Sequence, residues 1–213
     1  MNKESPKSSN YIYQFISYLF HPAFVPAVAM FFLLFVYQGA DIIIPQGKNQ
    51  LWFITACFST ILFPLLVVFL MWRLQFINSI KLETQQERYV PLIASMLFYF
   101  WAFWVFHKSL AAPAWIQVFL LGMFLGVVLL FLVNLFLKLS MHTAAWSGLL
   151  TFALLMQIFA KNPHTVFLIL VGLILSAVIS SRIKLQAHTK KEIIAGILVG
   201  FLAMLISFGI SKI

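Results

Sequence analysis

Apolar runs of roughly 20 residues alternate along the chain with short polar breaks, and the runs lack a strict every-other-residue pattern. A run of that length is what an α-helix needs to cross a hydrocarbon core. Backbone groups in such a core must be satisfied within a helix or a closed barrel, and the missing alternation argues against barrel strands. The pattern therefore predicts an all-α fold: a polytopic helical membrane bundle with about seven candidate spans. They are expected at residues 23–37, 51–71, 89–106, 115–137, 140–160, 165–180 and 193–210. The first reaches full length when extended back to Leu19, and the aromatic–polar stretch 11–20 before it reads as interfacial.

Polar loops punctuate these runs. The longest, 78–88, holds Lys81, Glu83, Glu87 and Arg88, and a second break is Ser140-Met141-His142-Thr143. The third, from Ser181 to Glu192, holds Arg182 and His188. Seven spans place all three islands on the side of the N-terminus. Of the 14 Lys and Arg residues, only Lys48, Lys108, Lys161 and Lys212 fall on the other side. The positive-inside rule makes the island side cytoplasmic. Lys3 and Lys7 precede apolar sequence, and Ala27-Val28-Ala29 has the look of a cleavage site. The apolar run nevertheless continues through Val36, so a retained first span is expected. One integral-membrane domain, 1–213, then begins with a cytoplasmic or interfacial leader at 1–18.

Composition sharpens this picture in three places. With 63% hydrophobic and 9% charged residues over 213 positions, and a mean hydropathy of +1.01, no soluble domain could hide the apolar surface. The formal charge of +9 is spread through short loops, which fits membrane orientation and anionic head groups rather than nucleic acid. A single cysteine, Cys57, lies inside an apolar run and excludes a disulfide framework or thiolate metal site.

Each island has a chemical reading and a bland one. Lys81 and Arg88 can clamp phosphate oxygens, or form a solvated loop neutralised by Glu83 and Glu87. Ser140 and His142 open a span, where unpaired N–H groups suit an anion and a histidine can serve as acid or base. They can equally be an N-cap and an interfacial histidine. His188 and Glu192, four apart, share a helix face: the carboxylate can fix the imidazole tautomer and free the other nitrogen to attack. The same pair can simply cap the last span. His21, His107 and His164 fall at span ends and read as interfacial. Gly196 and Gly200 form a G-x3-G pair suited to close helix packing.

Together the islands resemble the three-part signature of the type 2 phosphatidic acid phosphatase and haloperoxidase superfamily, K-x6-R-P, P-S-G-H and S-R-x5-H-x3-D. Lys81 to Arg88 has the first spacing, Ser140-Met141-His142 the second, and Ser181-Arg182, His188 and Glu192 the third. The resemblance implies that His188 attacks phosphorus, His142 exchanges protons with leaving group and water, and Glu192 orients His188. Lys81, Arg88, Ser140 and Arg182 would hold the phosphate. It implies no cofactor and no metal, a lipid phosphate or pyrophosphate as substrate, and a bacterial cytoplasmic membrane as location, with the site of many bacterial relatives facing the periplasm where charge counting here points to the cytoplasm. The chain departs from the pattern at Tyr89 and Leu139 in place of proline, at Met141 in place of glycine, and at Glu192 in place of aspartate. A hairpin, residues 89–137, also separates the first two motifs, where the family core has six spans. These departures motivate the alternative expectation of a catalytically impaired protein that binds anionic lipid.

Overall fold

The computed structural model describes residues 7–37, 39–77, 79–80, 82 and 84–211, with backbone only for 7–10. Lys81, expected to hold phosphate, and Glu83 lie outside the described residues. Among the described residues there are nine α-helices and no strand. Seven helical stretches are long and apolar enough to cross a membrane: Tyr11–Val36, Asn49–Arg73, Gln86–Ser109, Ala114–Asn134, Met141–Phe159, Thr165–Lys184 and Lys190–Ser211. The molecule is an all-α, multi-pass membrane protein.

Helix α1 (Lys7–Leu19) is separate from α2 (Val25–Phe31), and the sequence explains the break. His21 precedes Pro22, whose ring pushes the preceding residue out of the helical region. His21 accordingly adopts φ −62, ψ 137, and its Nδ1 accepts from the Ala23 N–H at 3.3 Å to cap the short turn that follows. On α1, Tyr13, Ile16 and Ser17 face the bundle at helical spacing, while Tyr11, Ile12, Phe15 and Tyr18 face outward and are exposed. Such an aromatic outer face suits the head-group boundary. α2 continues through a wide turn, Phe32–Val36, to the opposite membrane face.

The second span joins α3 (Asn49–Cys57) to α4 (Phe63–Arg73) through another wide turn, Phe58–Leu62. Pro64 has no N–H and its ring crowds the carbonyl four residues back, so the ladder widens there instead of breaking. α5 (Tyr89–Trp104) and α6 (Ala114–Asn134) form the hairpin between the first two motifs. α7 (Met141–Phe159), α8 (Thr165–Lys184) and α9 (Lys190–Ser211) complete the bundle.

α7 is the most enclosed span, and its chief neighbour is α9. With one span between them the two run parallel, and they come into backbone contact because α9 carries Gly196 and Gly200 against α7. A Cβ at Gly200 would overlap the Ala144 carbonyl, and one at Gly196 would strike Thr143 Oγ1 and the Ser140 carbonyl. Small residues here let two backbones touch, the usual device of membrane helix pairs. Hydroxyls lock the register: Thr143 Oγ1 donates to Ile193 O at 3.3 Å and Ser147 Oγ to Ile197 O at 3.1 Å. α6 packs antiparallel on the other side of α9, joined by Ser207 Oγ donating to Val118 O at 2.7 Å.

On the face opposite the islands, Asp41 gathers three segments. It accepts from Tyr37 Oη at 2.7 Å, Trp115 Nε1 at 2.8 Å and the Lys161 N–H at 3.3 Å. Burial alone would raise the Asp41 pKa, but these donors hold it below the ordinary carboxylate value. Burial and the bond to Asp41 push Tyr37 up to about 12.

Candidate functional site

α8 extends past Ser180, where the sequence predicts its end, so Arg182 sits in its last turn beside the negative end of the helix dipole. The chain then reverses through a Schellman turn. Ala187 N–H donates to Arg182 O at 3.1 Å and Gln186 N–H to Ile183 O at 3.0 Å, with Gln186 at φ 51. This returns His188 toward the bundle.

His188 and Glu192 do not share a helix face as their spacing suggests, because α9 begins only at Lys190. Glu192 instead belongs to a capping box: its Oε2 accepts from the Thr189 N–H at 3.2 Å, and its own N–H donates to Thr189 Oγ1 at 3.3 Å. The same Oε2 accepts from His188 Nδ1 at 2.8 Å. A carboxylate can only accept, so Nδ1 carries the proton and Nε2 keeps its lone pair. Burial first, then the charges of Arg182 and Arg88, hold the His188 imidazole below its ordinary pKa, against the pull of the Glu192 bond. The His188 imidazole is therefore held neutral near pH 7, with Nε2 unprotonated.

Arg88 is buried, at 3% exposure, and ties two islands together. Its Nε donates to Leu82 O and its Nη1 to Leu139 O, both at 2.9 Å. Ser140 is fully buried and caps α7, its Oγ accepting from the Thr143 N–H at 3.4 Å. Its N–H donates to Glu192 O at 3.2 Å, which fixes the start of α7 against the start of α9. Met141 is absent from the residues with positive φ. Its position thus makes no conformational demand for glycine, and its side chain lines the site.

A cavity of about 270 Å³ opens between these elements. Arg88, His142, Arg182 and His188 all line it, together with His21. The remainder is mostly apolar, with Leu92 and Tyr99 of α5, Gly122 and Gly126 of α6, and Ala203 and Met204 of α9 among its walls. From Arg88 to Tyr99 it follows α5 for roughly 16 Å at 1.5 Å per residue. One end is thus cationic and the other reaches toward the membrane interior. Ser140 and Glu192 stand behind this lining rather than in it. Among the described residues no group of three or more His, Cys, Asp or Glu could hold a metal ion.

The sequence reading missed two contributors. His21 is not simply an interfacial histidine: its ring stands edge-on to that of His142, with centroids 5.4 Å apart. Ser17 contacts both Arg182 and His142. The one available signal was topological, since the N-terminal segment had to lie on the island face. His107 and His164 are structural as expected. His107 Nδ1 pairs with Gln117 Oε1 at 2.6 Å, and His164 Nδ1 caps α8 by accepting from the Phe167 N–H at 3.4 Å.

Fold and site together define a multi-pass helical membrane protein with a histidine- and arginine-lined cavity at one bilayer face. No family model, curated protein or solved structure matches the chain.

Proposed function

We propose that the protein is a membrane phosphatase that hydrolyses a lipid phosphate or pyrophosphate through a phosphohistidine. One observation carries the proposal: Arg88, His142, Arg182 and His188, drawn from three separate islands, line one cavity whose far wall is apolar. A cationic mouth over an apolar trough suits a ligand with an anionic head and a hydrocarbon tail.

His142 takes up a second proton at Nδ1 as the phosphate anion binds. His188 Nε2 then attacks phosphorus while the bond from phosphorus to the lipid oxygen breaks, and His142 Nδ1 gives that oxygen the proton, leaving the ring neutral. Water then attacks the phosphohistidine, His142 takes a proton from the water, and the phosphorus–nitrogen bond breaks to release inorganic phosphate. Glu192 holds the His188 tautomer throughout. Arg182, and Lys81 by the resemblance, neutralise charge on the phosphoryl oxygens. With the excess of Lys and Arg on the island side, we place the site at the inner face of a bacterial cytoplasmic membrane. The test is phosphate release by purified protein from phosphatidate, phosphatidylglycerophosphate or a polyprenyl pyrophosphate. Activity that survives His188→Asn excludes the mechanism.

A specific observation favours a second reading, a non-catalytic binder of anionic lipid. Two Arg88 donors are taken up by main-chain carbonyls, and Ser140 Oγ is occupied as a cap. Saturable binding of phosphatidate vesicles without turnover, unchanged in His142→Ala, selects that reading.

A further inference from the structure

We infer that the last turn of α1 is a fourth part of the site, in which Ser17 positions both the phosphate-binding Arg182 and the proton-exchanging His142. The roles assigned to those partners rest on the phosphatase reading; the contacts do not. None of the three islands contains Ser17, and it lies 165 residues from Arg182 in sequence.

Arg182 Nη1 donates to Ser17 Oγ at 2.6 Å, a short charge-assisted bond. A guanidinium offers two edges for bidentate contact. Ser17 takes the Nη1 corner, while the buried Nε has no partner among the described residues. Burying such a donor unpaired is costly, so its edge is set to receive an acceptor from outside the protein. Arg182 lines the cavity, and two phosphoryl oxygens match that planar fork. Ser17 therefore orients the fork from behind, leaving its opposite edge open.

The same residue sets the tautomer of His142. His142 Nε2 lies 3.2 Å from the Ser17 carbonyl oxygen and 3.5 Å from Ser17 Oγ. A carbonyl only accepts, so Nε2 carries a proton and Nδ1 is left to exchange protons with leaving group and water. This is the counterpart of the Glu192 bond to His188, with the sense of the ring reversed: Nε2 free on one histidine, Nδ1 on the other. Two further contacts fix the segment. Ser181 Oγ donates to Tyr13 O at 2.8 Å, and Trp146 Nε1 donates to Phe20 O at 2.9 Å. α1 is thereby pinned to the ends of α7 and α8 that carry the site.

The experiment measures binding of inorganic phosphate to the detergent-purified full chain by titration calorimetry, alongside turnover of lipid phosphate. Ser17→Ala is expected to weaken phosphate binding and lower kcat/KM by roughly tenfold, the effect of one charge-assisted bond. Ser17→Thr, which keeps the hydroxyl, recovers most of both. Nitrogen NMR of the ligand-free protein, with both imidazoles neutral, is expected to show His142 protonated at Nε2 and His188 at Nδ1. Unchanged binding in a folded Ser17→Ala protein, an equal loss in Ser17→Thr, or neutral His142 protonated at Nδ1 instead of Nε2 overturns the inference. If the native protein binds phosphate in this Ser17-dependent way yet never turns over lipid phosphate, the phosphatase reading fails and the inference stands. If it binds no phosphate, both fail.

Discussion

The two membrane faces of this protein use similar residues to opposite ends. On the face around Asp41, polar side chains close on one another or on nearby backbone. Asp41 is shared by Tyr37, Trp115 and Lys161, His107 pairs with Gln117, and His164 caps its own helix. The island face also carries histidines at span ends, but there they line a cavity, and Arg182 keeps a buried nitrogen with no partner among the described residues. A histidine at a helix end is thus uninformative until its hydrogen bonds are followed. What separates structure from site is whether donors and acceptors close within the protein or are left open around a void.

The sharpest way to break the comparison is His188→Asn. Loss of the proposed nucleophile is expected to lower turnover by on the order of 10³-fold or more, with the fold intact by thermal unfolding. Glu192→Gln comes next. Glutamine keeps the capping box but removes the carboxylate that orients His188, so kcat is expected to fall about 10- to 100-fold, the usual scale for an orienting residue, with little change in stability. Asp41→Ala should behave in the reverse sense. It strands the buried Trp115 and Tyr37 donors and is expected to cost about 3 kcal/mol in unfolding measurements, with phosphate affinity unchanged. If Asp41→Ala abolished binding in folded protein, the division between the faces would collapse.

The smallest effect concerns pH. His188 titrates below its ordinary value of 6.5, so its neutral form persists as pH falls through that value and is lost only at lower pH. Removing the Arg182 charge, as in Arg182→Met, is expected to move its NMR titration midpoint upward, toward 6.5. A native midpoint at or above 6.5 would mean that the pocket is wetter than its walls suggest.

The spans were legible because apolar content averaged over about 20 residues is a robust signal, whereas a hydrogen bond depends on atoms near 3 Å apart. Expected and observed spans agree to within about four residues except at the first, which is expected from residue 19 or 23 and begins at Tyr11. At α8, Arg182 and Lys184 look like loop but complete a turn whose dipole welcomes cations. The three islands could be read as candidates because each is local in sequence. That Ser140 is a cap, one of its two readings, needed the Thr143 contact. That His188 meets Glu192 across a capping box, not along a helix face, needed the start of α9. Ser17 was out of reach, because a serine followed by aromatics carries no mark of a partner 165 residues away. Lys81 lies outside the described residues and stays an expectation.

The parallel contact of α7 with α9 also has a consequence for biogenesis. His142 rides at the head of one helix, and His188 immediately precedes the other. Their relative placement is set where Gly196 and Gly200 let the backbones meet. Spans emerge from the ribosome in order, so a nascent chain with α1 to α7 already in the bilayer holds His142 but lacks His188. The cavity can gather both histidines only when α9 docks. On the proposed phosphatase mechanism, half-made copies would be chemically silent toward the lipids around them.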